Sequence, residues 1–303
     1  MSRDQRAEID AVLRAPRPVP SSLAEMRAGF AATQSRRLVP AAIRISDTAL
    51  GARRALLVEP AGPPDEGTLL YFHGGSFMLG SPETSLSVTA NLVTRSGSRG
   101  FSLDYRLAPE HPFPAAVDDG IGAYQALLAA GTDPAKIVLA GDSAGGGLAV
   151  TTVLKALDRG LPLPAAIVVF SPALDLTFSG ASMSSKEDAD PIFTPAMLRP
   201  AVEMYCAGQD LHQPLLSPAR YADLTRFPPM LLQVGTNELL LDDSVRMAER
   251  ARGAGVDVVL DVTADVPHVF QAFAGVLGEA DQALDRAALF VRQHVGARGG
   301  PGG

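Results

Sequence analysis

The chain has 303 residues, 47% of them apolar and 19% charged, which suits a folded protein with a large buried core and excludes a disordered one. Its net charge is −7 and its basic residues cluster only in short pairs such as Arg36–Arg37, so it lacks the Lys/Arg patch that a nucleic-acid backbone requires. One cysteine, Cys206, can form no intrachain disulfide and fits a reducing compartment.

The first stretch, MSRDQRAEIDAVL, is charged throughout and has no apolar core of a signal peptide. No apolar run approaches the roughly 20 residues needed to cross a bilayer, so a cytoplasmic location without a membrane partner is expected. Residues 1–40 carry apolar side chains at helical spacing, Ile9, Val12 and Leu13, then Leu23, Met26 and Phe30. The second set opens with a capping box, Ser22 to Glu25. From residue 41 short apolar runs alternate with amphipathic stretches: AIRIS (42–46), RALLVE (54–59), TLLYFH (68–73), GFSLDY (100–105), KIVLAG (136–141), AIVVFS (166–171), MLLQVG (230–235) and VDVVLD (256–261). From the third on they are continuous, as strands buried on both faces should be. The expected fold class is α/β, a mainly parallel eight-stranded sheet with helices on both faces. The first two runs leave no room for a helix between them and read as an antiparallel edge hairpin.

Two excursions interrupt that rhythm. Residues 1–40 form one, and residues 180–215, with a helix start at Thr194-Pro195, form the other. Insertions of this length commonly serve as lids. The expected division is an N-terminal cap segment over 1–40, a core over 41–179 and 216–296, a cap insertion over 180–215 and an unstructured tail over 297–303.

Between the fifth run and the next helix stands Gly141-Asp142-Ser143-Ala144-Gly145, a Gly-x-Ser-x-Gly pattern. The plain alternative is a strand-to-helix turn in which Ser143 caps the helix. The setting is nevertheless that of a nucleophile elbow, with a hydroxyl lifted above the sheet at a helix amino terminus. No Lys-Ser or Lys-Thr follows for a phosphate loop, and the Gly-x-Gly-x-x-Gly of a dinucleotide site is absent.

A serine nucleophile needs a base, and the base needs an orienting acid. Of five histidines, His73 and His111 precede the serine, His212 lies in the insertion and His294 in the last helix. His268 follows the last strand, at the carboxyl edge where sheets of this kind keep their chemistry, and is the candidate base. For the acid, Glu238 stands in a loop just past the seventh run, whereas Asp242 and Asp243 open a helix where acids serve as caps. Asp175 follows the sixth run and is a weaker rival, so Glu238 is preferred to Asp242 and Asp175. The glycines after the third run, in Tyr71-Phe72-His73-Gly74-Gly75-Ser76, can turn N–H groups toward an oxyanion, with the N–H of Ala144 as another donor.

FHGGSF (72–77), DYRLAPEHPFPAAVDD (104–119), GDSAGG (141–146), SPALDL, PLLSP and VPHVF (266–270) together resemble the hormone-sensitive-lipase-like family of bacterial esterases. The resemblance implies an α/β-hydrolase fold with a helical cap, hydrolysis of short-chain carboxylic esters, no cofactor or metal, a small-molecule ester as partner and, in many members, a homodimer. It carries the nucleophile onto Ser143, the base onto His268 and the oxyanion donors onto Gly74, Gly75 and Ala144, with His73 ordering the glycine loop. Two positions depart from the pattern. Ser76 replaces a third glycine, and aligning ELLLDD with the usual Asp-Pro-Leu-x-Asp puts Glu238 where the family more often has aspartate.

These parts make a carboxylesterase working through an acyl-enzyme, with an acid limb in kcat/KM at roughly 6–7. A lactone hydrolase or amide deacetylase would use the same three residues, and a non-catalytic small-molecule receptor could share the fold. An interfacial lipase fits less well, since the cap segments are short and not strongly apolar.

Overall fold

All eight apolar runs become strands of a single sheet. In the computed structural model, which describes residues 2–16, 18–65 and 67–296, they are β1 Ile43–Leu50, β2 Arg53–Pro60, β3 Thr68–Phe72, β4 Arg99–Leu103, β5 Ile137–Asp142, β6 Ala166–Phe170, β7 Met230–Asn237 and β8 Val258–Pro267. The tail expected over 297–303 lies outside the described residues. Helices α1 Ser2–Arg14 and α2 Leu23–Gln34 precede the sheet. Between and after the strands run α3 Leu86–Ser96, α4 Ala115–Ala129, α5 Ala144–Asp158, α6 Ser182–Ser185, α7 Pro195–Cys206, α8 Pro218–Tyr221, α9 Leu241–Gly253 and α10 Gly278–Gly296.

The strand order is β1-β2-β4-β3-β5-β6-β7-β8. β1 and β2 form the expected hairpin at one edge, and β2 is also antiparallel to β4. All pairings from β4 across to β8 are parallel. Leu69 and Tyr71 of β3 join the core on one face, while Leu70 and Phe72 join the core on the other. Both faces exclude water, which is why the central runs read as unbroken apolar stretches. α4, α5 and α9 cover the face of Leu70 and Phe72; α3 and α10 cover the opposite one.

Register decides where the loops emerge. β3 pairs Phe72 with Gly141 of β5, and β5 pairs Asp142 with Phe170 of β6, so three loops leave the carboxyl edge side by side. β7 and β8 pair as far as Asn237 with Pro267, past an irregularity after Gly235. The next residues, Glu238 and His268, thus leave neighbouring strand ends.

Both excursions pack near that edge. Ile9 of α1 clusters with Val266, Phe270 and Phe273. From α2, Arg27 donates to the carbonyls of Met78 and Ala108 and pairs with Glu110. The capping box of α2 is displaced by one residue: Ser22 Oγ accepts the Glu25 N–H, but the Glu25 carboxylate takes the N–H and hydroxyl of Ser21. α7 begins as expected, with the Thr194 hydroxyl accepting the Met197 N–H and Pro195 in the first turn. At its far end Tyr205 stacks on Phe77, ring centroids 3.8 Å apart. Among the described residues no helix is long and apolar enough to cross a membrane.

Candidate active site

Ser143 joins β5 to α5 with φ 53° and ψ −121°, a backbone that L-residues rarely adopt. Its N–H donates to the Phe170 carbonyl at 2.9 Å, and its own carbonyl accepts the N–H groups of Gly147 and Ala173. The bend draws α5 against the end of β3, where a Cβ on residue 145 would lie 2.0 Å from the Phe72 carbonyl oxygen; only glycine fits. The Ser143 hydroxyl does not cap α5, which removes the turn-residue alternative.

That hydroxyl lies 2.9 Å from Nε2 of His268, and Nδ1 of His268 lies 2.8 Å from Oε2 of Glu238. The other carboxylate oxygen, Oε1, accepts the Gly235 N–H at 2.6 Å and the Ser171 hydroxyl at 2.8 Å. Ser171 Oγ accepts in turn from the Val269 N–H at 2.9 Å. One hydroxyl therefore braces both the acid and the residue after the imidazole. All three members of the chain are buried; Glu238 is 0% exposed and His268 5%. Burial opposes charge on the His268 ring, but the hydrogen bond and charge of Glu238, with Asp190 and Asp142 farther round, hold its pKa above the ordinary histidine value.

The other acids are engaged elsewhere. Asp175 binds Thr177, Ser179 and Arg246, which hold its carboxyl below the usual range despite burial. Asp242 accepts the Ser182 N–H, and Asp243 accepts the N–H groups of Leu174 and Asp175, so neither caps α9 as expected. They tie the segment after β6 and the start of α6 to the α9 helix instead. Among the histidines, His294 bonds the Phe290 carbonyl within α10, His212 pairs with Asp210 at the surface and His111 is exposed. His73 is buried, stacks on Tyr105 at 4.2 Å and bonds the Gly74 carbonyl; burial pushes its pKa down to about 4, so the ring is neutral.

The Asp142 carboxylate, which receives the hydroxyls of Tyr71 and Ser85, lies against Gly74. The N–H groups of Gly74, Gly75, Ser76 and Ala144 all donate to no acceptor among the described residues. Gly75 turns the loop with φ 123°, and Ser76 and Phe77 follow at 55° and 60°. Sequence reading missed Ser171, Asp142 and Asp190. Ser171 ends the run AIVVFS and Asp142 lies inside the Gly-x-Ser-x-Gly pattern, but nothing in the sequence marks Asp190.

Comparison with known proteins points to one family and fold. A family described by its alpha/beta hydrolase fold matches residues 69–272. An acetyl-hydrolase of Streptomyces hygroscopicus is 43% identical over 232 residues, 77% of this chain and 77% of that protein. An esterase of Acinetobacter venetianus is 36% identical over 224 residues, 73% of each. Among solved structures, an esterase from the bacterial hormone-sensitive lipase (HSL) family superposes with a TM-score of 0.93 at 37% identity, covering 96% of this chain and 98% of that one. The HSL homologue EstE7 from a metagenome library gives 0.91 at 40% identity, covering 97% and 99%.

Proposed function

The chain belongs to the hormone-sensitive-lipase-like esterases of the α/β-hydrolase fold and is a carboxylic ester hydrolase, and from that premise we propose that it cleaves short-chain acyl esters through Ser143, His268 and Glu238. The supporting observation is the unbroken hydrogen-bonded chain from the Ser143 hydroxyl through both ring nitrogens of His268 to the Glu238 carboxylate. With Nδ1–H donating to Glu238, the lone pair of Nε2 faces the hydroxyl and can take its proton. Ser143 Oγ then attacks the ester carbonyl, and its proton passes to Nε2. The oxyanion is received by the N–H groups of Gly74, Gly75 and Ala144, none of which is engaged by another acceptor among the described residues. The imidazolium, steadied by Glu238, protonates the departing alkoxide as the C–O bond breaks and the acyl-enzyme forms. Water, deprotonated by the same ring, releases the carboxylic acid.

Two features support a short acyl chain. The Streptomyces relative is named an acetyl-hydrolase. Aromatic rings also crowd the site, with the Phe77–Tyr205 stack on the glycine loop and Phe193 edge-on to His268 at 5.1 Å.

The test is Ser143→Ala assayed on p-nitrophenyl acetate. Turnover is expected to fall about 10⁶-fold, and a fluorophosphonate should label the unmodified protein but not the variant. Turnover retained by Ser143→Ala, or labelling at another residue, would overturn the assignment.

A further inference from the structure

We propose that Asp190 is a positioning residue of the active site, through which the cap insertion grips the Glu238–His268 pair and lends it negative charge. This rests on the Ser143–His268–Glu238 reading above. Asp190 lies between α6 and α7 and is 5% exposed. Its Oδ1 accepts the N–H groups of Ile192 and Phe193, at 2.8 and 2.9 Å. Those two bonds alone would make it a local loop brace. Its other oxygen does something else: Oδ2 accepts the N–H of Leu239 at 2.9 Å, across 49 residues of chain. Leu239 directly follows the acid, and Phe193 presents its ring edge-on to the base, interplanar angle 73°. A single carboxylate thus holds the backbone beside Glu238 and the aromatic wall beside His268.

Its partners are backbone N–H groups, and among the described residues no lysine or arginine pairs with it, so no ion pair cancels its charge. Three carboxylates favour positive charge on the His268 ring: Glu238 from the loop after β7, Asp190 from the cap and Asp142 from the end of β5. Glu238 is hydrogen-bonded to the ring, while the Asp142 carboxylate accepts the hydroxyls of Tyr71 and Ser85. Asp190 is the contribution of the cap. When His268 takes the serine proton the ring becomes a cation, and a fixed negative charge nearby favours that state more than it favours the resting neutral ring.

Asp190→Asn keeps one oxygen for the loop N–H groups and removes the charge; Asp190→Ser keeps a hydroxyl acceptor and also removes it; Asp190→Glu keeps the charge on a longer arm. The pH profile of kcat/KM for p-nitrophenyl acetate separates a positioning role from a purely structural one. In the Asn and Ser variants the acid limb should move down by roughly 0.3–1 pH unit, with kcat at the plateau lowered about tenfold and KM changed far less. In the Glu variant the limb should stay in place while kcat falls. Where a folded variant turns over too slowly to assay, the His268 ring titration followed by NMR should report the same downward shift. A limb or titration at the wild-type position in both neutral variants overturns the proposal. A wild-type protein with no acid limb at all would instead overturn the triad reading, and this one with it.

Discussion

Glu238 is held from both ends of its carboxylate, with Oε1 fixed by Gly235 and Ser171 and Oε2 left for His268. In the proposed mechanism the neutral ring is the working form, and its pKa lies above the ordinary value of 6.5. Activity should therefore be full on the alkaline side and be lost as pH falls through a point above 6.5. Glu238→Gln removes the largest favourable influence on the imidazolium. It should lower kcat about 10⁴-fold and move the residual acid limb downward, read from pH–rate profiles; an unmoved limb would detach Glu238 from the base. Ser143 and His268 were legible in the sequence because the Gly-x-Ser-x-Gly pattern and the order of histidines leave few choices. Glu238 was legible because it follows a strand with no helix to cap. Ser171 was not, since its bridge to Glu238 and Val269 depends on β6, β7 and β8 lying side by side and on a φ of 46°.

At the scale of elements, all eight strands announced themselves as short apolar runs, the central ones through two-sided burial, but their ends did not. β8 runs to Pro267, well past the expected VDVVLD, because it keeps pairing with β7 while polar residues such as Thr263 and Asp265 face outward at the sheet edge. α9 shows a second limit. Its acidic start looks like capping, yet Asp243 is buried and binds the chain after β6. Burial, with the Asp175 carboxylate nearby, pushes the Asp243 carboxyl from 3.8 up to about 8. A folded-state pKa above the unfolded one means that the folded form binds the proton more tightly. The associated stability is fully present below 3.8 and is lost as pH rises to about 8. Asp243→Asn does not titrate. Its stability relative to the parent should therefore rise across that window, by at least about 1 kcal/mol, and level off beyond it. Denaturant midpoints for both proteins at a series of pH values measure this; a constant difference would refute it.

Over the whole molecule, the sheet supplies the chemistry and segments from two distant parts of the chain close around it. Arg27 fastens α2 to the glycine loop and the Ala108 carbonyl, while α7 brings Tyr205 onto Phe77. Rings packed this closely should limit the length of acyl group accepted. In a series of p-nitrophenyl esters, kcat/KM should be highest at two to four carbons and lower by at least about tenfold for palmitate. A flat profile would remove the cap from control of chain length. Periodicity and helix starts located these segments in the sequence, but their contacts follow from side-chain packing that no repeat encodes. The carboxylate of Asp190 crosses the boundary between the two parts, and this bears on protein engineering. Chimeras that graft a foreign 180–215 segment to alter substrate scope would transplant more than a new wall; donors with a neutral residue at this position should deliver a weakened base, however well their new surface fits the ester.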